Sequence, residues 1–129
     1  MKKLKLILII SIIFFFSNCD KEKEDYQEMY IGNWEFNVIT KYYLITGPDV
    51  QIDTVNYISK IEKTSSINQM YIQYLKDRNI TATVNEKGEL FFTYENCNGK
   101  FENNNIVQIY IEGRGKGGKT IQEIKGKKL

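Results

Sequence analysis

Tyr30-Ile31-Gly32-Asn33-Trp34-Glu35-Phe36-Asn37-Val38-Ile39-Thr40-Lys41-Tyr42-Tyr43-Leu44 is the stretch on which the fold turns. Trp34, Phe36, Val38 and Tyr42 share one parity, and Glu35, Asn37 and Lys41 share the other. Side chains of a strand alternate between its two faces, so this period of two marks a strand with one buried face.

The same alternation continues downstream. Gly47-Pro48-Asp49 reads as a turn, after which Val55, Tyr57, Ser59 and Ile61 alternate with Asn56, Ile58, Lys60 and Glu62. A polar turn over 63–66 leads to Met70, Ile72 and Tyr74, and Lys76-Asp77-Arg78-Asn79 reads as the next turn, before Ile80, Ala82 and Val84. Asn85-Glu86-Lys87-Gly88 has the composition of a hairpin connection, with glycine where a positive φ is expected. Leu90, Phe92 and Tyr94 form a fifth apolar face, and Asn96-Cys97-Asn98-Gly99 reads as a turn into a short strand around Phe101. Asn103-Asn104-Asn105 turns into a strand over 106–112, and a last strand runs over 119–127. No segment has a convincing helical period. About eight short strands joined by tight connections imply an all-β, antiparallel, up-and-down sheet. Closure into a small β-barrel removes the exposed edges of such a sheet, so residues 30–129 are expected to form one.

Upstream of this domain the chain changes character. Lys2, Lys3 and Lys5 precede an apolar run from Leu6 to Phe16, followed by Ser17-Asn18-Cys19 and then by the fully charged Asp20-Lys21-Glu22-Lys23-Glu24-Asp25. A run from Leu4 to Phe16 is short of the roughly 20 apolar residues that a spanning helix needs. The order of charge, apolar stretch and cysteine resembles a bacterial lipoprotein signal peptide. That resemblance implies a signal over 1–18, acylation at Cys19 with palmitate-type chains, and a solvated charged tether over 19–29. The membrane partner is then the lipid anchor at Cys19, because several acyl chains on one residue hold a protein stably where one does not. The implied location is the cell envelope of a Gram-negative-type bacterium, lipid-anchored at the outer membrane, with surface exposure as a further step and inner-membrane retention as the alternative. Acylation of Cys19 would leave Cys97 a lone thiol, whereas an unmodified Cys19 in an exported protein could pair with it.

Composition excludes several classes. The 129 residues carry 18 basic and 16 acidic side chains, and loss of Lys2, Lys3 and Lys5 with the signal leaves 15 against 16, a net −1. A nucleic-acid partner requires a clustered basic excess and is not expected. The chain has no histidine, which removes Ser-His and Cys-His nucleophile arrangements and histidine metal sites together. The 111 residues left after the signal suffice for one small domain.

Gly32-Asn33-Trp34 at the start of the first strand resembles the Gly-x-Trp motif of lipocalins and related calycins. The glycine-rich final loop and the Lys-rich end, Ile124-Lys125-Gly126-Lys127-Lys128, are similar to short bacterial lipocalin-like lipoprotein domains. The resemblance covers roughly 30–129 and implies a barrel plugged at one end by Trp34, with a small apolar ligand as the expected cargo. No Thr-Asp-Tyr motif and no arginine in the last strand accompany it.

Candidate sites are few. Trp34, Phe36, Tyr57, Tyr74, Phe92 and Phe101 would either line a cavity or fill the barrel, since an eight-stranded interior has room for packed side chains or one small ligand. Tyr42-Tyr43-Leu44-Ile45 could form a lid or contact patch near a barrel mouth, or simply end the first strand. The segment 113–120 matches the phosphate-loop pattern literally, but that loop must open a helix. Here Thr120 opens a β-like segment, so a hairpin is expected. Glu35, Glu62 and Glu112 read as solvent-facing and not as a catalytic pair. Neither 77–79 nor 85–89 has calcium-loop spacing. Asp53-Thr54-Val55 resembles an O-glycosylation acceptor at Thr54 or is an ordinary strand entry. The expected protein is a non-enzymatic, membrane-anchored binding module for a small apolar or amphipathic ligand, without cofactor or metal. The alternative is an accessory or inhibitor protein that contacts another envelope protein through its loops, over a packed interior.

Overall fold

The computed structural model describes residues 25–47 and 49–129. Residues 1–24, on which the expected signal, Cys19 and much of the expected tether fall, and Pro48 lie outside the described residues. Eight strands follow one another: β1 (Gly32–Leu44), β2 (Val50–Lys63), β3 (Gln69–Leu75), β4 (Arg78–Val84), β5 (Glu89–Phe92), β6 (Cys97–Glu102), β7 (Ile106–Gly115) and β8 (Gly118–Lys128). Each pairs antiparallel with the next, and β1 pairs with β8, so the sheet closes into an up-and-down barrel. A 3-10 turn, Glu28–Tyr30, precedes β1.

Register explains the interior. Trp34, Phe36 and Val38 stand opposite Ser59, Tyr57 and Val55 on one side and Lys128, Gly126 and Ile124 on the other. Opposed residues share a face, so the inward parity passes from strand to strand around the barrel. It collects Ile61, Met70, Ile72, Ile80, Ala82, Val84, Leu90, Phe101, Val107 and Ile109 with the β1 residues into one buried cluster. Large apolar side chains of this kind contribute about 1.5–3 kcal/mol each when fully buried.

One end of the barrel is sealed. Tyr30 stacks on Phe101 with ring centroids 3.7 Å apart. The Trp34 indole N–H donates to the Tyr30 carbonyl at 2.8 Å, and Trp34 lies 5.7 Å from Phe101. Satisfying the indole matters, because a buried polar group without a partner is costly. Phe36 has room for its ring because it faces Gly126, where an added Cβ would stand 2.9 Å from the Phe36 ring and 2.6 Å from Val107. Packing extends upstream of Tyr30. Gln27 is buried, Tyr26 packs against the core, and the Tyr26 N–H donates to the Asn68 side-chain oxygen. Lys63 pairs with Glu28 and, at 3.6 Å, with Asp25.

Three local expectations change. Cys97-Asn98-Gly99, read as a turn, belongs to β6, because Cys97 to Glu102 find partners along β7 from Ile111 to Ile106. Tyr94 is not on a strand. The ladder from β5 to β4 ends at Phe92 and that to β6 covers only Glu89 and Leu90, so Tyr94 sits in an exposed bend. Arg78, expected in a turn, opens β4 opposite Leu75 across a register shift.

Candidate functional site

Strand lengths are unequal, and this builds the site. β1, β2, β7 and β8 span 13, 14, 10 and 11 residues, whereas β3 to β6 span 7, 7, 4 and 6. At about 3.3 Å per residue, the long strands rise well past the rim of the short ones. The wall is tall on one side and low on the other.

At the tall side's upper end lies an open cavity of about 530 Å³. Its floor is a polar layer across the barrel. The Tyr74 hydroxyl donates to Gln122 Oε1 at 3.2 Å, and Gln122 Nε2 donates to Thr40 Oγ1 at 3.4 Å. Below this layer the interior is apolar and packed. Above it, Tyr42, Leu44, Ile111 and Thr120 line the walls together with backbone-rich Gly113, Gly115 and Gly118. Those positions share the inward parity of β1, β7 and β8.

Three cations border the cavity, Arg78, Arg114 and Lys119, of which Arg114 and Lys119 oppose one another on the outward parity of β7 and β8. Glu112 engages two of them, Arg114 at 3.4 Å and Lys119 at 3.5 Å. Lys119 also lies over the Tyr43 ring, 5.6 Å from its centroid. Arg78 makes no ion pair among the described residues. The only carboxylate that register puts on the inward parity of β1, β2, β7 or β8 is Asp53, opposite Thr40. Burial pushes the Tyr74 hydroxyl above its usual range, with the nearby Arg78 charge acting against that shift. Tyr74 therefore keeps its proton and serves as the donor that organises the floor.

The aromatic residues singled out in the sequence divide between two levels. Trp34, Phe36 and Phe101 are in the sealed end, and Tyr57 is half-buried on β2 opposite Phe36. Phe92 is half-buried opposite Ala82 and packs against the core. Only Tyr74 reaches the floor of the mouth. Of the Tyr42–Ile45 patch, Tyr42, Tyr43 and Leu44 line the cavity. The glycine-rich segment 113–120 forms the end of β7, the turn and the start of β8, with no helix following.

Glu35 and Glu62 are exposed on the outer parity. Glu112 shares the outer parity of β7, but its side chain keeps only 18% of its exposure, because Arg114 and Lys119 close over it. The three do not gather around one cleft. The half-buried Cys97 thiol is raised by burial, which keeps it protonated and poorly nucleophilic. Thr54 is an exposed strand residue opposite Ile39. Among the described residues no group of three potential metal-ligating side chains comes together.

Arg78, Gln122, Thr40, Ile111 and Thr120 were not marked as site residues by sequence. The signal for most of them is the same period of two, followed to the upper ends of β1, β7 and β8. Arg78 has no such signal, since its neighbours Lys76, Asp77 and Asn79 give it the look of a turn.

Comparison of the chain with family models, with curated proteins and with solved structures gives no match. The fold and the geometry of the mouth define the class: a closed, eight-stranded antiparallel β-barrel with one packed end and one open, cation-bearing end.

Proposed function

We propose that the protein is a binding module for a small amphipathic molecule carrying an anionic head, held at the barrel mouth. In this reading Cys19 is acylated and Asp20 onward tethers the barrel to a Gram-negative-type envelope membrane, as the order of residues 2–19 suggests. The observation that supports ligand binding is Arg78, a guanidinium beside an open cavity with no carboxylate partner among the described residues. A guanidinium is suited to a carboxylate or phosphate, and charge-assisted hydrogen bonds of this type contribute about 1.5–3 kcal/mol. Tyr42, Leu44 and Ile111 offer the apolar body a wall, and the Tyr74–Gln122–Thr40 layer limits its depth. The ligand sits above the core and not within it.

Titration with a dansyl-labelled fatty acid and with its neutral alcohol analogue tests this, using residues 20–129 exported behind a cleavable leader. Arg78→Gln should weaken the acid about tenfold or more and leave the alcohol nearly unchanged. Thr120→Trp, which fills the mouth, should remove both. No saturable binding of either probe by the unaltered protein would end the small-ligand reading. Accessory contact with another protein is favoured instead by the exposed Leu44, Ile45, Ile52 and Ile58 on the β1–β2 hairpin.

A further inference from the structure

Inward parity can be followed for charge as it was for apolar residues. Of the charged side chains on the described strands, only Asp53 and Lys63 on β2, Arg78 on β4 and Lys128 on β8 share it. Two of these belong to the sealed end and have partners there. Lys63 pairs with Glu28 and Asp25, and Lys128 Nζ donates to the Met29 carbonyl at 2.8 Å. Asp53 and Arg78 remain, one of each sign. Among the described residues neither enters an ion pair, with the other or with any third group.

Both stand at the height of the polar floor. Asp53 lies opposite Thr40 across the ladder of β1 and β2, Thr40 accepts from Gln122, and Gln122 accepts from Tyr74. Arg78 faces Leu75, the residue after Tyr74, and its charge acts on the Tyr74 hydroxyl. The hydrogen-bonded chain of the floor thus has a carboxylate beside one end and a guanidinium beside the other. A purely anionic head set against Arg78 would share this level with the Asp53 carboxylate, which repels it. A head that carries an ammonium as well turns that repulsion into attraction. Tyr42, the next inward residue of β1 after Thr40, is a diagonal neighbour of Asp53 and is 40% exposed. Diagonal neighbours are within reach of an aromatic side chain, and an aromatic face attracts a cation. We infer that the head group taken at the mouth is zwitterionic, with its phosphate or carboxylate at Arg78 and its ammonium at Asp53 against the Tyr42 ring. This rests on the binding of an amphipathic molecule at the mouth and names the head that the mouth selects.

Competition against the dansyl-labelled fatty acid reads the head group, again on exported residues 20–129, which contain the closed barrel and its core. Lauroyl lysophosphatidylethanolamine and lauroyl lysophosphatidylglycerol share a tail and a phosphate, and only the first carries an ammonium. The ethanolamine form should displace the dansyl probe at about fivefold lower concentration, the scale of one partly exposed ion pair. Asp53→Asn should erase that difference by weakening the ethanolamine form, and Asp53→Lys should reverse it in favour of the glycerol form. Asp53 is exposed, so both variants should fold, and their retained binding of the dansyl acid checks this. Phosphoethanolamine without a tail should compete at least about a hundredfold more weakly, because the contacts of the tail with the wall are missing. Equal displacement by the two lysolipids, or a preference that survives Asp53→Asn, would overturn the zwitterionic head and leave the anionic one standing. A tail-less head that competes as well as the lysolipid would overturn the assignment to an amphiphile. If the unaltered protein binds no dansyl acid, the inference falls together with the reading it rests on.

Discussion

The two ends of this barrel are made from the same strands, yet they differ in what their inward residues do. At the sealed end, Trp34, Phe36 and Phe101 are buried and the 3-10 turn carries Tyr30 across the opening. At the mouth, the next inward residues of β1 are Tyr42 and Leu44, which are 40% and 49% exposed. Thr40 marks the change, buried between the two levels and tied to Gln122. One strand thus runs from core to cavity wall without altering its period. The lesson is that alternation specifies which way a residue points, whereas strand length on the opposite side decides whether anything covers it. β3 to β6 are too short to cover the top of β1, β7 and β8.

The largest effect is expected at the sealed end. Trp34→Ala removes a fully buried ring and leaves the Tyr30 carbonyl without the indole donor. Large-to-small changes of an aromatic residue in a packed core cost about 3–5 kcal/mol. Denaturant unfolding followed by far-ultraviolet circular dichroism measures it, because Trp34 is the only tryptophan and its own emission is lost. A cost below about 1.5 kcal/mol would show that the sealed end can collapse around the gap, and the contrast between the ends would lose its basis.

The polar layer should give an intermediate effect. Tyr74→Phe deletes the hydroxyl that donates to Gln122 and should cost about 1 kcal/mol, the usual net value of such a hydrogen bond. It should also change the response to alkali. The Tyr74 hydroxyl is raised above 10.0 by burial, so the folded state holds its proton more tightly than the unfolded state does. Its contribution is therefore complete below about pH 10 and is lost as pH rises from there through the folded value. Burial raises Tyr30 in the same direction, so Tyr74→Phe should shrink the alkaline loss of melting temperature without abolishing it. An alkaline limb identical in the two proteins would show that Tyr74 titrates freely and that the floor is open to water.

Much of the architecture was legible because one parity stays apolar over long runs. Trp34-Phe36-Val38, Met70-Ile72-Tyr74 and Ile80-Ala82-Val84 each announce an inner face, and short polar connections make antiparallel neighbours the natural outcome. Gly99 shows where local reading fails. A glycine after two asparagines suggests a turn, but β7 offers a full ladder and the interior leaves little room there, an added Cβ standing 3.1 Å from Leu90. The candidate site was less legible, since it depends on relative strand heights. Nothing near Arg78 in sequence tells that β1, β7 and β8 rise beside it. The largest aromatic residues drew attention to the core for the same reason: they were conspicuous as side chains, and the cavity is conspicuous only as a space between strands.

The smallest effect on stability should come from Leu44→Ala, and it sharpens the contrast most directly. Leu44 and Leu90 are the same residue on the same inward parity, one at the mouth and one in the core. Truncating Leu90, which is 5% exposed, belongs with core changes that cost about 2–5 kcal/mol. Truncating Leu44, about half exposed already, removes little surface that folding had covered and should stay within about 0.5 kcal/mol. Its wall contact with an apolar ligand body would still be lost, weakening the dansyl fatty acid about three- to tenfold. Stability and binding measured on the same two variants therefore separate the ends: Leu90→Ala should move the melting temperature, and Leu44→Ala the affinity. Destabilisation by Leu44→Ala as large as that by Leu90→Ala would mean that the mouth is packed like the core, and a wall packed in that way has no face to offer a ligand.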